Sequence, residues 1–438
     1  MNVRELALMV LDRVTRDKSY SNIAVDTVIE REKLSGKDRA LFCVLVYGVI
    51  EKKITLDFLI DSLSVLPANK IEPSTRNLLR MGLYQLRFLE RIPSHAALNE
   101  TVALAPRRAR GFVNAILRSY TRRESELLLP TRGTDPIRYL SVNYSFGESV
   151  CARLVREYDV EKAENILAAF DRPPLLTIRT NTLKTTRDAL LDVLSKQGYK
   201  PSPTPYAPYG LRLEETGLPK EALEAGLCFV QDEASQIASA ALDAKSGQTV
   251  YDICACPGSK SFGAALTMEN KGTLLSFDLH ENKLSLVRKT AERLGITILE
   301  TKARDGREFD ETLSERADRV ICDVPCSGFG VMAKKPEIRY KDTAVCEELA
   351  AVQYDILRNA CRYVKQGGTL IYSTCTIFAA ENEQNISRFL REHSDFSLEP
   401  FSVGSLSAKE GMLTLLPCDH GTDGFFIAKL KRKEKPHA

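Results

Sequence analysis

The first 125 residues carry apolar side chains at helical spacing, with no strand-like alternation. The earliest apolar positions are Val3, Leu6, Val10 and Val14. A repeat of three to four residues places such side chains on one face of a helix. Further apolar runs lie at Ala40–Ile50, Leu56–Leu66, Leu78–Leu89 and Phe112–Leu117. This pattern predicts an all-α domain over residues 1–128.

A shorter mixed segment follows. Ser125–Pro136 contains two prolines and a glycine, which is typical of a linker. Beyond it the pattern predicts helices at about Gly147–Phe170 and Arg187–Gln197, and strands at Leu175–Thr180, Gly210–Leu213 and Cys228–Gln231. We interpret residues 140–233 as a small α+β module.

From about Ala234 strands alternate with helices. The apolar strands are Thr249–Ile253, Thr273–Asp278, Arg319–Val324 and Thr369–Ser373, and the intervening helices include about Lys283–Leu294 and Glu347–Val364. Such alternation predicts a parallel sheet covered on both faces. Ligands of these sheets bind beyond the carboxyl ends of the strands. We therefore expect an α/β domain over residues 234–433, with its site at that edge.

Composition narrows the class of protein. The 438 residues are 44% hydrophobic and 27% charged, and the mean hydropathy of −0.19 is typical of a globular protein without a membrane span. The eleven cysteines are an odd number spread along the chain. They favour free thiols in a reducing cytoplasm over a disulfide framework. Because no coiled coil or exposed apolar repeat is evident, we expect a monomer.

Charge is concentrated near the start of the chain. Residues 1–140 hold 23 Lys/Arg against 16 Asp/Glu. Six arginines lie within seventeen residues that contain no acidic side chain: Arg107, Arg108, Arg110, Arg118, Arg122 and Arg123. Such a cluster can neutralise phosphates, although a solvated helix face is the plainer alternative.

A turn of small residues follows the first strand of the α/β domain. Its residues are Cys254, Ala255, Cys256, Pro257, Gly258, Ser259 and Lys260. Such a turn lets backbone amides approach a ligand, and the next helix offers its positive N-terminus. The turn matches neither a P-loop nor the usual dinucleotide fingerprint, so a plain strand-to-helix turn is the alternative.

Two aspartates complete a predicted nucleoside pocket. Asp278 ends the next strand, 21 residues after Pro257, where an acidic residue can bind ribose hydroxyls. Asp305 follows a third short strand in this interpretation and can meet an adenine edge. Since no phosphate-cradling GKS/T accompanies them, the pocket favours S-adenosylmethionine (SAM) over ATP or NAD.

Two cysteines end the remaining strands. Cys326 lies in DVPCSG and Cys375 in STCT, so both thiols are expected at the ligand edge. Cysteine is more often a small buried hydrophobe, and none of the histidines has the spacing of a Cys/His zinc motif; we expect no metal. Beside SAM, a thiolate that adds to C6 of a pyrimidine activates C5 for methylation. Asp323 can then hydrogen-bond N3 or N4 of the cytosine.

These motifs resemble the RNA cytosine-5 methyltransferases. The resemblance is carried by DxCACPGSK, Asp278, DVPCSG, PEIRY, YSTCT and the later Glu381-Asn382. It implies a Rossmann-like SAM-dependent domain in which Cys375 is the nucleophile and Cys326 assists release. Upstream, RTN at Arg179 and FVQDEAS at Phe229 are similar to the module that precedes this domain. RMGLYQL, RIPSHAALNETVALA and GFVNAILR are similar to a NusB-type RNA-binding domain, an arrangement that implies the RsmB/Sun enzymes and small-subunit (16S) ribosomal RNA as substrate.

Several alternatives stay open at this point. The family loop is commonly CAAPGGKT, and here Cys256 replaces an alanine and Ser259 the second glycine. If that glycine needs a positive φ, Ser259 weakens SAM binding, and a catalytically weak or dead RNA-binding paralogue is the alternative. The same chemistry on tRNA or large-subunit rRNA is another. An exocyclic-amine methyltransferase fits poorly, because it has no use for Cys375.

Overall fold

A computed structural model describes residues 2–17, 21–133, 135–214 and 217–434. The chain divides into two compact units. One comprises Met1–Arg172 with Met332–Thr343, and the other Pro173–Val331 with Ala344–Ala438. The boundary at Arg172 lies inside the predicted 140–233 module, so the helices of that module before Arg172 belong to the first unit and its later helices and strands to the second. Compact units and sequence domains need not coincide, and the three predicted domain ranges stay a prediction.

The first unit is helical. Its helices are α1 (Val3–Asp17), α2 (Ser21–Glu32), α3 (Gly36–Glu51), α4 (Lys53–Leu63), α5 (Pro73–Phe88), α6 (Ser94–Leu104), α7 (Arg110–Arg123), α8 (Pro136–Tyr144), α9 (Glu148–Tyr158) and α10 (Val160–Phe170). Short 3-10 turns lie at Ala68–Lys70, Glu124–Glu126 and Pro336–Tyr340. Phe42, Leu45, Leu56, Leu79 and Leu117 are fully buried in its core. The predicted all-α fold of this region is confirmed.

Two details of the predicted helices are wrong. The helix predicted over Gly147–Phe170 is two helices, because Asp159 takes a φ of 90° between them, which breaks the helical backbone. The linker predicted to end at Pro136 ends earlier, since Pro136 is the first residue of α8 and the Asp135 carboxylate accepts a hydrogen bond from the Arg138 amide. Proline suits that first helical position. Residue 134 of the linker lies outside the described residues.

The PEIRY motif belongs to the helical unit. Arg339 is fully buried and its guanidinium donates to the Phe170 carbonyl at 2.8 Å and to the Asp171 carboxylate at 3.2 Å. The Tyr340 hydroxyl donates to the Ile50 carbonyl at 2.5 Å. A buried guanidinium needs such partners. The contacts of the PEIRY motif therefore hold the Met332–Thr343 segment in this unit.

The second unit begins with a small antiparallel sheet. Its elements are β1 (Leu176–Thr180), α11 (Arg187–Lys196), β2 (Pro201–Pro203), β3 (Gly210–Leu213), α12 (Lys220–Glu224) and β4 (Cys228–Val230). The strand order is β2-β3-β1-β4. Ile178, Leu190, Leu194 and Leu211 form its core. The predicted α+β character of this segment is confirmed.

The main sheet follows in the same unit. The elements are α13 (Glu233–Ala241), β5 (Thr249–Asp252), α14 (Ser259–Thr267), β6 (Thr273–Asp278), α15 (Glu281–Leu294), β7 (Leu299–Ala303), β8 (Ala317–Asp323), α16 (Val345–Ala360), β9 (Val364–Thr374), α17 (Glu383–Glu392), β10 (Phe396–Leu398), β11 (Phe401–Val403), β12 (Leu406–Ala408), β13 (Met412–Leu415), α18 (Pro417–His420) and β14 (Phe425–Arg432). Short 3-10 turns lie at Glu311–Leu313 and Cys361–Tyr363. The parallel strands run in the order β7-β6-β5-β8-β9.

The sheet is mixed rather than purely parallel. β14 pairs antiparallel with β9, and β10 and β13 pair with β14. The predicted Rossmann-like domain is confirmed, and the prediction of a parallel sheet holds for the five strands β5 to β9 alone. The chain order reverses between β5 and β8, which is where sheets of this type place their ligand.

No helix in the described ranges is long and apolar enough to cross a membrane.

Candidate functional site

The turn after β5 is built around one glycine. Gly258 has a φ of 103°, its amide donates to the Ala255 carbonyl at 2.6 Å, and its carbonyl accepts from the Phe262 amide at 2.8 Å. A Cβ at this position would lie 2.5 Å from the Phe262 ring. Only glycine meets both constraints without strain.

Ser259 does not occupy a glycine-demanding position. It is the first residue of α14 and is absent from the positive-φ residues of the described chain. Its carbonyl accepts a hydrogen bond from the Gln231 side chain at 3.2 Å. The backbone penalty expected for Ser259 therefore does not arise, because the left-handed conformation falls on Gly258.

The two predicted aspartates lie at neighbouring strand ends. Asp278 ends β6, and its carboxylate accepts from the Cys256 amide at 3.3 Å and from the His280 amide at 3.1 Å. Asp305 lies two residues beyond β7, and the Arg304 amide donates to the Asp278 carbonyl at 2.8 Å. Hydrogen bonds from Arg307 lower the pKa of Asp305. Carboxylate oxygens at these two positions can accept hydrogen bonds from ribose hydroxyls or an amino group.

A third acidic residue was not among the predicted site residues. Asp252 ends β5 and is fully buried, and burial raises its pKa to about 7. One carboxylate oxygen accepts from the Ser261 hydroxyl at 2.6 Å, and the other has no hydrogen-bond partner among the described residues. In the sequence it is the first residue of the DxCACPGSK motif, but its burial depends on the packed fold.

The acidic side chains converge on one thiol. The pKa of Cys254 is raised well above its usual value by burial, and then by the charges of Asp252, Asp323, Asp278 and Asp305. Carboxylates on four strand ends therefore surround the turn. SAM carries an ammonium, a sulfonium and ribose hydroxyls, and an orphaned buried carboxylate oxygen beside a glycine turn suits such donors and cations. The residues present fit this cofactor.

The two predicted thiols lie side by side. Cys326 Sγ is 2.9 Å from Cys375 Sγ, and the Cys375 amide donates to Cys326 Sγ at 3.3 Å. Neither cysteine forms a disulfide bond. The hydrogen bond with Cys375 raises the pKa of Cys326 well above its usual value, and burial adds to the effect. Cys326 is therefore a protonated thiol in contact with its neighbour.

Asp323 connects the thiols to the turn. The Lys260 ammonium lies 2.6 Å from one oxygen of its carboxylate, and the Ser373 hydroxyl donates to the other at 2.7 Å. Asp323 and Ser373 are paired across β8 and β9. The Asp323 carboxylate, at the end of β8, thus contacts Ser373 near the end of β9 and Lys260 in the first turn of α14. The role of Lys260 as partner of Asp323 was not evident from the sequence.

A buried network holds both cysteine loops. Glu381 is fully buried, and its carboxylate accepts from the Ser327 amide at 2.9 Å, the Ser327 hydroxyl at 2.5 Å and the Gln353 side chain at 2.7 Å. Next along the chain, Asn382 accepts from the Thr374 hydroxyl at 2.6 Å and donates to the Thr376 carbonyl at 3.1 Å. These contacts fix the residue after Cys326 and both neighbours of Cys375.

The upstream motifs support α14. The Gln231 amide donates to the Ser259 carbonyl, and the Arg179 guanidinium donates to the Gly263 carbonyl at 3.3 Å. Burial lowers the pKa of Arg179 to about 10. RTN and FVQDEAS therefore contact the helix that carries Lys260, which gives these motifs a structural role. No cluster of metal-ligating side chains occurs in the described ranges.

Comparison with known proteins identifies three matching segments. Residues 239–431 match the model of the 16S rRNA methyltransferase RsmB/F family, residues 1–122 that of the NusB family, and residues 150–218 the RsmF/B-like ferredoxin-like domain. The chain is 38% identical to the probable ribosomal RNA small subunit methyltransferase B of Bacillus subtilis, over 99% of both chains. It is 34% identical to ribosomal RNA small subunit methyltransferase B of Escherichia coli, again over 99% of both. The solved structure of PH0851 is similar with a TM-score of 0.80 and 26% identity, covering 99% of each chain.

Proposed function

This chain belongs to the 16S rRNA methyltransferase RsmB/F family of SAM-dependent enzymes, and on that premise we propose that it methylates C5 of a cytidine in small-subunit (16S) ribosomal RNA. The observation that supports this reaction is the pair of cysteine sulfur atoms 2.9 Å apart, without a disulfide bond, at the ligand edge of the sheet. Methyl transfer to an exocyclic amine has no use for such a pair.

The methyl donor is proposed to bind at the turn Cys254, Ala255, Cys256, Pro257, Gly258, Ser259 and Lys260. SAM, when bound, supplies an electrophilic methyl group. Asp278 and Asp305 are the proposed partners of its ribose and adenine, because their carboxylates stand at the ends of β6 and β7. Burial and Asp278 raise the pKa of Cys256 to about 12, so this thiol stays neutral and does not compete as a nucleophile.

Cys375 is the proposed nucleophile. C5 of cytosine is too weak a nucleophile to take a methyl group directly. When the Cys375 thiolate forms a bond to C6, the electrons of the C5=C6 double bond move into the ring and make C5 nucleophilic. Asp323 and the Lys260 ammonium, 2.6 Å apart, are the proposed partners of the N4 and N3 edge of the base, where they would stabilise this charge.

Cys326 is proposed to assist release. After transfer, C5 carries both the methyl group and a proton. As that proton leaves to solvent, the C5=C6 bond re-forms, and the C6–Sγ bond breaks with its electrons returning to Cys375. Cys326 is protonated and 2.9 Å from Cys375 Sγ, so it can donate a hydrogen bond to the departing thiolate.

The helical unit is the proposed contact for RNA phosphates. All six clustered arginines are exposed. Arg108 forms an ion pair with Glu72, and Arg123 one with Glu126, both at exposed positions. Exposed pairs of this kind contribute little and are easily exchanged for phosphate. We further propose that the protein is a monomer and that it acts on ribosomal RNA in the cytoplasm.

Transfer of tritiated methyl from SAM tests the reaction and its substrate together. Unmodified 16S rRNA, 23S rRNA and tRNA are compared as acceptors, with Cys375→Ala and the matched control Cys418→Ala. We expect label in 5-methylcytidine of 16S rRNA, lost in Cys375→Ala and kept in Cys418→Ala. Label that persists in Cys375→Ala, or that appears only on tRNA or 23S rRNA, contradicts the mechanism or the substrate respectively.

A further inference from the structure

The helical unit contains a cavity of its own. Its volume is about 530 Å³, within the range of small-molecule sites. The apolar wall is formed by Leu11, Val14, Val49 and Ile50, and the polar wall by Thr15, Lys53, Asn77, Arg80, Glu337, Tyr340, Lys341 and Asp342. The last four belong to the segment Met332–Thr343, so the PEIRY motif forms one side of this cavity.

Lys53 places an unpaired cation in the wall. Its ammonium forms no ion pair with any described carboxylate and instead lies 4.9 Å from the centre of the Tyr340 ring. The Asp57 carboxylate, whose charge acts on Lys53, forms ion pairs with Arg76 and Arg80. Burial lowers the pKa of Lys53, and the charge of Arg80 lowers it further. An anion in the cavity would relieve both effects.

Glu337 also lines this cavity, and its carboxylate has one oxygen without a donor in the described part of the chain. One carboxylate oxygen accepts from the Ser21 hydroxyl at 2.8 Å. The other is buried and has no hydrogen-bond partner among the described residues. A buried carboxylate oxygen without a donor is costly, so a ligand with N–H groups would satisfy it. The cavity is thus lined by apolar side chains, by Lys53, and by Glu337, whose carboxylate has one oxygen without a donor in the described ranges.

We propose that this cavity binds a single nucleotide, with its phosphate at Lys53, its base against the apolar wall and the amino group of that base at Glu337. A nucleotide carries all three groups that this lining can bind: an anion, a flat apolar surface and an N–H donor. The nucleotide can belong to an RNA chain or be free, since both present the same groups. The site lies wholly in the helical unit and does not depend on the thiol chemistry of Cys375.

Titration calorimetry on the full-length protein tests the site. The probes are AMP, GMP, CMP and UMP, inorganic phosphate, and a single-stranded RNA decamer. We expect Lys53→Met and Glu337→Gln each to weaken binding at least about tenfold, as for the loss of a charge-assisted contact. Lys53→Arg should retain binding within about threefold. Lys70→Met and Glu90→Gln, at exposed positions of the same unit, are the matched controls and should leave it unchanged.

The results distinguish a free nucleotide from a nucleotide of an RNA chain, and both from binding at the strand ends of the other unit. Lys53-dependent binding of mononucleotides supports a free ligand, and Lys53-dependent binding of the decamer alone supports an RNA nucleotide. Binding that survives Lys53→Met and is lost in Asp323→Asn locates the nucleotide at the strand ends and overturns the proposal. Absence of any Lys53-dependent binding overturns it too, and because no methyl transfer is measured, that failure leaves the proposed reaction untouched.

Discussion

Replacing Glu381 tests whether the buried network holds the two cysteine loops in place. The carboxylate of Glu381 accepts three hydrogen bonds, from the Ser327 amide, the Ser327 hydroxyl and the Gln353 amide. Glu381→Ala removes every acceptor at once. Glu381→Gln keeps one oxygen for the two amide donors, and the Ser327 hydroxyl can rotate to accept from the new NH2 group.

The expected magnitudes follow from this difference. A buried donor left without an acceptor costs about 1–3 kcal/mol. Losing two or three of them in Glu381→Ala should lower the free energy of unfolding by about 3–6 kcal/mol. Glu381→Gln loses mainly the charge assistance and should cost about 1 kcal/mol. Misplacement of a reacting group by about 1 Å can reduce the rate about 100-fold, so we expect a fall in kcat of that order in Glu381→Ala.

The assays are urea unfolding and steady-state methyl transfer, with SAM affinity measured separately. Glu410→Ala, at an exposed position of the same unit, is the matched control. Among the described residues, no hydrogen bond or ion pair joins the Glu381 side chain to the turn after β5, so SAM affinity should change less than about threefold while kcat falls. Equal losses of stability in Glu381→Ala and Glu381→Gln would refute this reasoning. So would normal kcat in Glu381→Ala.

Two further predictions concern the cofactor turn, and one the acidic residue beneath it. Gly258→Ala forces alanine into a positive φ at a cost of about 1–2 kcal/mol and should weaken SAM binding at least about tenfold by calorimetry. Ser259→Gly should change it less than about threefold, because Ser259 is already helical. Burial raises the pKa of Asp252 from its ordinary value of 3.8 to about 7. The folded state therefore resists ionisation, and stability falls as pH rises from about 4 to 7, by up to about 4 kcal/mol. Asp252→Asn should flatten that slope in urea titrations at pH 4.5 and 8; an unchanged slope would contradict the assignment.

Local periodicity predicted the elements of this chain well where apolar patterns are strong. Strand β6 has the predicted bounds Thr273–Asp278, and helix α15 (Glu281–Leu294) begins two residues before its predicted start. β14 was not predicted. It pairs antiparallel with β9, which lies about 50 residues earlier in the chain. Such pairing depends on contacts that no local pattern specifies. The break at Asp159 was missed because neither glycine nor proline marks it.

The sequence predicted the candidate site residues at the strand ends. It did not predict the buried side chains that hold those residues in place. Cys326 and Cys375 were placed at one edge by the rule for parallel sheets, and the structure brings their sulfur atoms together. The partnership of Lys260 with Asp323, and of Glu381 with Ser327, joins residues 63 and 54 positions apart. Burial and hydrogen-bond partners of this kind emerge only from the packed fold. For the same reason the sequence could not decide whether position 259 needs a positive φ, and the structure has the positive φ at Gly258.

The most direct test of the thiol mechanism is to trap its intermediate. Cys326→Ala is incubated with SAM and unmodified 16S rRNA, resolved under denaturing conditions, and the attached peptide is identified by mass spectrometry. If Cys326 assists release, a covalent protein–RNA adduct should accumulate through Cys375 and disappear in the Cys326→Ala/Cys375→Ala double variant. An adduct on another residue, or none under conditions where the unchanged enzyme methylates the RNA, would contradict the assigned roles of the two thiols.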